Sequence, residues 1–297
     1  MSSNISAADF SYALPERNEG AAYRKENFAA PYVAVERPVA GRFMVTVDKG
    51  ESVPYHVFLL HGGGYIMEAM TMHTDKLKAL ADRGLRVTAF ASPLAPEHDM
   101  DTIHAAVDEA YALVRKEYPD DIFAVYGDSA GAGLGLNLLM RLRDKGDANR
   151  PMKSIWASPA VDLMLDNPDI LKYKDNDKSL DYEGAKGMSV MVAKGEDLML
   201  PKYSPLYGDL SNLGDMLMFY GGGEILRPDC ELFAEKIAGT EGTSIQSVMA
   251  EKRFHDYLMM VGYGYEEASE AYDMIKEFLR YPTPVGTPLA GVLFLKT

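Results

Sequence analysis

The chain predicts an α/β architecture, a mostly parallel sheet with helices on both faces. Short apolar runs alternate with amphipathic stretches at helical spacing through most of the 297 residues, the order that builds crossover connections within one sheet. A composition of 47% apolar and 25% charged residues is globular and sufficient for one large domain. No internal repeat or low-complexity tract interrupts the pattern.

The elements follow in order. Residues 1–40 are polar but carry Phe10, Tyr12, Tyr23, Phe28 and Tyr32, aromatics that need cover, either from a cap over the site or from the edge of the sheet. Strands are predicted at 42–47, 56–60, 86–91 and 122–126, with amphipathic helices over 68–83 and 101–118. A helix rich in Leu and small residues follows over 130–143, then strands at 153–157, 216–220 and 244–249, and a last helix near 265–279. Between Asp162 and Tyr203 the alternation stops. That stretch is rich in Asp, Lys and Met, with a helix-like piece at 182–194, and its length marks an insertion with a task rather than a bare loop. The expectation is one domain over 1–297, its small helical cap contributed by 162–203 and about 1–40. The apolar tail 288–295 pairs either with a sheet edge or with another subunit, which leaves homo-oligomerisation open.

Charge and cysteine usage narrow the function classes. A net charge of -14 repels nucleic acid and anionic lipid, both polyanions, and favours neutral or cationic small molecules. No apolar run is long enough to span a membrane, and the first residues lack a basic region followed by an apolar stretch. The single cysteine, Cys230, has no partner within the chain, so a reducing cytoplasm is the expected compartment.

Two glycine-rich runs carry the chemistry. Gly127-Asp128-Ser129-Ala130-Gly131 stands between an apolar strand and a helix, the setting of a nucleophile elbow that pushes a serine hydroxyl into a cleft. Its flanking glycines, lacking Cβ, let strand and helix pass closely. His61-Gly62-Gly63-Gly64 also follows an apolar strand and can present backbone N–H groups to the oxyanion formed when a serine attacks an ester. Asp128 is read as a turn stabiliser.

With Leu94-Ala95-Pro96-Glu97-His98, Ser158-Pro159, Asp162-Leu163, Ser204-Pro205-Leu206-Tyr207 and Gly223-Glu224-Ile225-Leu226, these runs resemble, in one order over roughly residues 56–280, the hormone-sensitive-lipase family of the α/β-hydrolases. The resemblance implies an α/β-hydrolase fold with a cap, an acyl-serine mechanism, no cofactor and no metal, and a turn shaped by His61.

In that fold the partners of the serine follow in the order acid, then histidine. Of the six histidines, His255 alone lies in a loop before the last helix and is the expected base. Glu224, at the end of the strand 216–220, is the expected acid; Asp229 is the runner-up, although a carboxylate early in a helix is as readily an N-terminal cap. The expected oxyanion donors are the N–H groups of Gly62, Gly63 and Ala130. The chain departs from the family in having Ser92-Pro93 where relatives have Tyr-Arg, and in the short stretch before His61, which suggests a trimmed cap. Met188, Met191 and Met199 are read as either pocket lining or cap packing. The expected function is a serine carboxylesterase acting on short- to medium-chain acyl esters. The alternatives are a non-catalytic small-molecule-binding protein on the same scaffold, and an amidase or deacetylase.

Overall fold

The computed structural model describes residues 17–50, 54–280 and the backbone of 292–295. Its framework is a sheet in the order β1-β2-β4-β3-β5-β6-β7-β8-β9. In chain order the elements are β1 (Val33–Val39), β2 (Arg42–Asp48), β3 (Tyr55–Leu60), α1 (Thr71–Asp82), β4 (Arg86–Ala91), α2 (Met100–Glu117), β5 (Ile122–Asp128), α3 (Ala130–Asp144), β6 (Lys153–Ala157), α4 (Tyr182–Ala193), β7 (Gly214–Gly221), α5 (Arg227–Ala238), β8 (Thr243–Ala250), α6 (Glu266–Arg280) and β9 (Val292–Leu295). From β4 across to β9 the pairing is parallel, while β2 runs antiparallel to both β1 and β4.

Alternation along each strand divides the core in two. Val57 and Leu59 of β3 face the layer of α1 and α6, with Leu77, Leu80, Tyr272 and Ile275. Phe58 and Leu60 face the opposite layer, with Ile103 and Val107 of α2, Leu134 and Leu138 of α3 and Phe233 of α5.

One expectation is corrected at the N-terminal end. Residues 33–39, expected in the cap, form the edge strand β1; all its residues except Val39 are partly or fully exposed, and the run Glu36-Arg37-Pro38 conceals the strand pattern, as edge strands commonly do. Tyr23 and Phe28 are buried in the α1 and α6 layer, where Tyr32 also packs, so sheet packing explains their burial. Phe10 and Tyr12 lie outside the described residues.

Of the two readings of the tail, the backbone takes the first. β9 pairs in parallel with β8 at the sheet edge, Ser247 opposite Val292, and residues 288–291 lie outside the described set. The inserted stretch holds a short 3-10 turn at Pro168–Lys172 and the helix α4.

Candidate active site

The β5–α3 junction has the geometry its glycines predict. Ser129 sits between the last residue of the strand and the first of the helix at φ 50° and ψ -121°, a backbone that a non-glycine residue adopts only when its surroundings enforce it. Here they do: its N–H donates to Ala157 O at 2.9 Å, and its carbonyl accepts from Ala132 N at 3.1 Å and Ala160 N at 3.0 Å. A Cβ on Gly131 would lie 2.1 Å from Leu60 O, so no larger residue lets α3 approach β3 this closely.

His255 reaches Ser129 from the loop after β8, its Nε2 3.0 Å from Ser129 Oγ. On the far side of the ring, Nδ1 stands 3.9 Å from Glu224 Oε1. This is ion-pair range, longer than a hydrogen bond, and among the described residues neither buried atom has another partner. Catalytic contacts often tighten only when substrate is bound. The other oxygen of Glu224 is fastened, accepting from Ser158 Oγ at 2.7 Å and Gly221 N at 2.9 Å. Burial disfavours the imidazolium, but Glu224, then Asp256 and Asp177, outweigh it and hold the His255 pKa above its ordinary value.

Asp177 escaped the sequence reading. From the inserted stretch its carboxylate accepts from Ile225 N at 3.0 Å and His255 N at 3.3 Å, fastening the loops of Glu224 and His255 to one group. A single Asp in a stretch rich in Asp and Lys gave no signal.

The glycine turn requires a correction. Gly62 N donates to Asp128 Oδ2 at 2.7 Å, so the donor expected for an oxyanion is already engaged. Gly63 and Gly64 instead line the cavity before Ser129; their φ values are 104° and 61°, and among the described residues their N–H groups have no acceptor. The N–H of Ala130, at the first position of α3, has no acceptor within its own helix. His61 Nδ1 donates to Gly62 O at 2.7 Å, and burial, then His73, lowers its pKa to about 4, which keeps the ring neutral. The Ser92-Pro93 loop does lie beside this turn. Ala95 N donates to Tyr65 O at 2.9 Å, and Arg17 donates to Ile66 O, and to Ala95 O at 2.6 Å.

Asp229 is remote from this chemistry. It stands in the first turn of α5 and accepts from Asn167 Nδ2 at 2.9 Å. Burial pushes its carboxyl up to about 7, with Asp162 and Asp166 adding to the rise. Among the described residues its other oxygen has no hydrogen-bond partner, so it does not cap the helix either.

Ser129 and His255 open on a cavity of about 370 Å³. Its walls are largely apolar, with Met67, Met70 and Met72, Leu163 and Leu165, Met188 and Val192 of α4, and Met259 and Met260. Met188 presses on the glycine turn, its sulfur 2.6 Å from where a Gly64 Cβ would sit. Met191 is packed against the core and Met199 is exposed; neither lines the cavity. Among the described residues no cluster of His, Cys, Asp and Glu is placed to hold a metal ion, and no helix is long and apolar enough to cross a membrane.

Fold and site together define the class. A family model for the alpha/beta hydrolase fold matches residues 57–259, and the chain belongs to that family, of the hormone-sensitive-lipase type. An acetyl-hydrolase of Streptomyces hygroscopicus is 30% identical over 236 residues, 76% of each chain. An esterase of Acinetobacter venetianus is 32% identical over 184 residues, 61% of this chain and 60% of its own length. The crystal structure of an esterase from the bacterial hormone-sensitive lipase family superposes with a TM-score of 0.77 at 26% identity, covering 85% of each chain.

Proposed function

We propose that this protein is a carboxylesterase that hydrolyses short- to medium-chain, uncharged acyl esters through an acyl-serine intermediate. The observation that carries the reading is the 3.0 Å contact of His255 Nε2 with Ser129 Oγ at the floor of an apolar cavity. His255 accepts the serine proton as Oγ attacks the ester carbonyl, and Glu224 holds the ring in the tautomer that this requires. The N–H groups of Gly63, Gly64 and Ala130 receive the oxyanion. His255 then protonates the leaving alcohol, and water repeats the sequence on the acyl-enzyme. The stretch 162–203 serves as the cap, because α4 supplies one wall of the acyl cavity. The chain works in the cytoplasm, where its one buried cysteine stays reduced.

Hydrolysis of a p-nitrophenyl ester series, acetyl to long acyl, by wild type and Ser129→Ala tests the reading. Turnover peaking at short to medium chains and lost in the variant is expected, a loss of roughly 10⁴-fold or more with an unchanged circular dichroism spectrum. Full activity in Ser129→Ala overturns it. Faster cleavage of the matching anilides than of the esters would favour an amidase.

A further inference from the structure

At the back of the elbow lies a charged cluster that the ester chemistry leaves unused; His73, Asp128 and Asp256 reach the cavity wall, and Lys76 lies beneath them. Lys76 of α1 is fully buried. Its Nζ stands 2.9 Å from Asp128 Oδ1 and 3.3 Å from Asp256 Oδ1. Those two aspartates come from different parts of the chain, and each is the immediate neighbour of a site residue: Asp128 precedes Ser129, and Asp256 follows His255.

The remaining bonds tie both aspartates down. Asp128 Oδ2 accepts from Gly62 N, and from His73 Nε2 at 3.3 Å; because His73 Nδ1 accepts from Met70 N, its ring proton resides on Nε2. Asp256, at φ 56° and ψ 43°, gives its N–H to Ser158 Oγ at 2.9 Å, the hydroxyl that also donates to Glu224. The Tyr126 ring of β5 lies 5.5 Å from the ammonium. An ammonium without water is tolerated only where carboxylates enclose it. Burial pulls the Lys76 pKa down, and Asp128 and then Asp256 more than reverse the effect, so the group is charged.

Resting on the esterase reading above, we propose that Lys76 is a positioning residue: its ammonium, clasped by Asp128 and Asp256, sets the distance between Ser129 at the turn after β5 and His255 on the loop after β8. It touches neither substrate nor reacting atom. It works as a strut, since Asp256 cannot move without breaking its contact with the buried ammonium, and His255 is attached to Asp256 by one peptide bond.

The test uses Asp256→Asn and Asp256→Gly. Both residues accept the left-handed backbone at this position, and both leave Lys76 paired with Asp128 in a charge-balanced pair, so both are expected to fold. Turnover of p-nitrophenyl acetate is measured per active site, counted by the burst of p-nitrophenol, beside wild type and Ser129→Ala. The expected result is a fall in kcat of about tenfold, as for a displaced catalytic group, with KM within twofold. A part that only stabilised the core would lower the melting temperature and leave kcat per titrated site unchanged. Wild-type kcat in either folded variant overturns the proposal, as does failure of both to fold, which would make the cluster a core requirement. A wild type without Ser129-dependent turnover overturns the esterase reading and this inference with it, an outcome distinct from an active wild type with equally active variants.

Discussion

The two sides of Ser129 are made of opposite materials. In front lies an apolar cavity walled by methionine and leucine, flexible side chains that adapt to varied shapes. Behind lies a charged cluster built on the fully buried Lys76, whose partners Asp128 and Asp256, with His73, also reach the cavity wall. The difference teaches a division of labour. Substitutions in front should change which acyl group is accepted, whereas substitutions behind should change whether the nucleophile is held in place.

Removing the acid that orients the base is expected to have the largest effect on either side. Glu224→Gln should lower kcat by roughly 10² to 10⁴-fold, while Asp229→Asn should leave it within about twofold. The pH profile gives the sign. His255 must be neutral to accept a proton, and Glu224 raises its pKa, so activity is lost as pH falls through a value above that of an ordinary histidine. In Glu224→Gln the acid limb of kcat/KM should move to lower pH. A limb that stays in place, or an Asp229→Asn variant as impaired as Glu224→Gln, would reverse the assignment of the acid.

Asp128→Asn tests the rear directly. It leaves Lys76 facing Asp256 alone and weakens the acceptor of Gly62 N–H, and breaking a buried ion pair in this way costs about 3 kcal/mol or more. Urea unfolding should show it as a lower midpoint at unchanged slope. An unaffected midpoint would mean that the cluster contributes little to stability.

The runner-up acid has its own pH signature. Asp229 is buried with its carboxyl raised to about 7, so between its unfolded value and about 7 the native state binds more protons than the unfolded one. Its contribution to stability therefore falls as pH rises through that window. Asp229→Asn should melt a few degrees above wild type at pH 8 and together with it at pH 4. A variant less stable at pH 8 would contradict the raised value.

The smallest effect belongs to the front. Met188→Ala opens the cavity beside Gly64, and the acyl-length preference should lengthen, with kcat/KM for the longer p-nitrophenyl esters rising about two- to tenfold over that for acetyl. An unchanged chain-length profile would place the acyl group elsewhere.

What the sequence made legible was local. β3, β4 and β5 are buried apolar runs, and the elbow and the loop of His255 lie within a few residues of the elements that position them. What it concealed depends on distant partners. Lys76, in the run Lys76-Leu77-Lys78 of the helix predicted over 68–83, gave no signal, because its partner Asp256 lies 180 residues away. Gly62 reads as an oxyanion donor because its occupant, Asp128, is 66 residues distant. β1 was hidden for a different reason, since an edge strand that is partly exposed on both faces does not alternate clearly.

The most direct test of the central claim is to quench wild type within the burst phase of p-nitrophenyl butyrate hydrolysis and to map the acyl group by peptide mass spectrometry. The account predicts a butyryl increment on the peptide carrying Ser129, absent in Ser129→Ala and greatly slowed in His255→Ala. Steady turnover with no acyl group on Ser129 at any time point, or an increment on another residue, would contradict it.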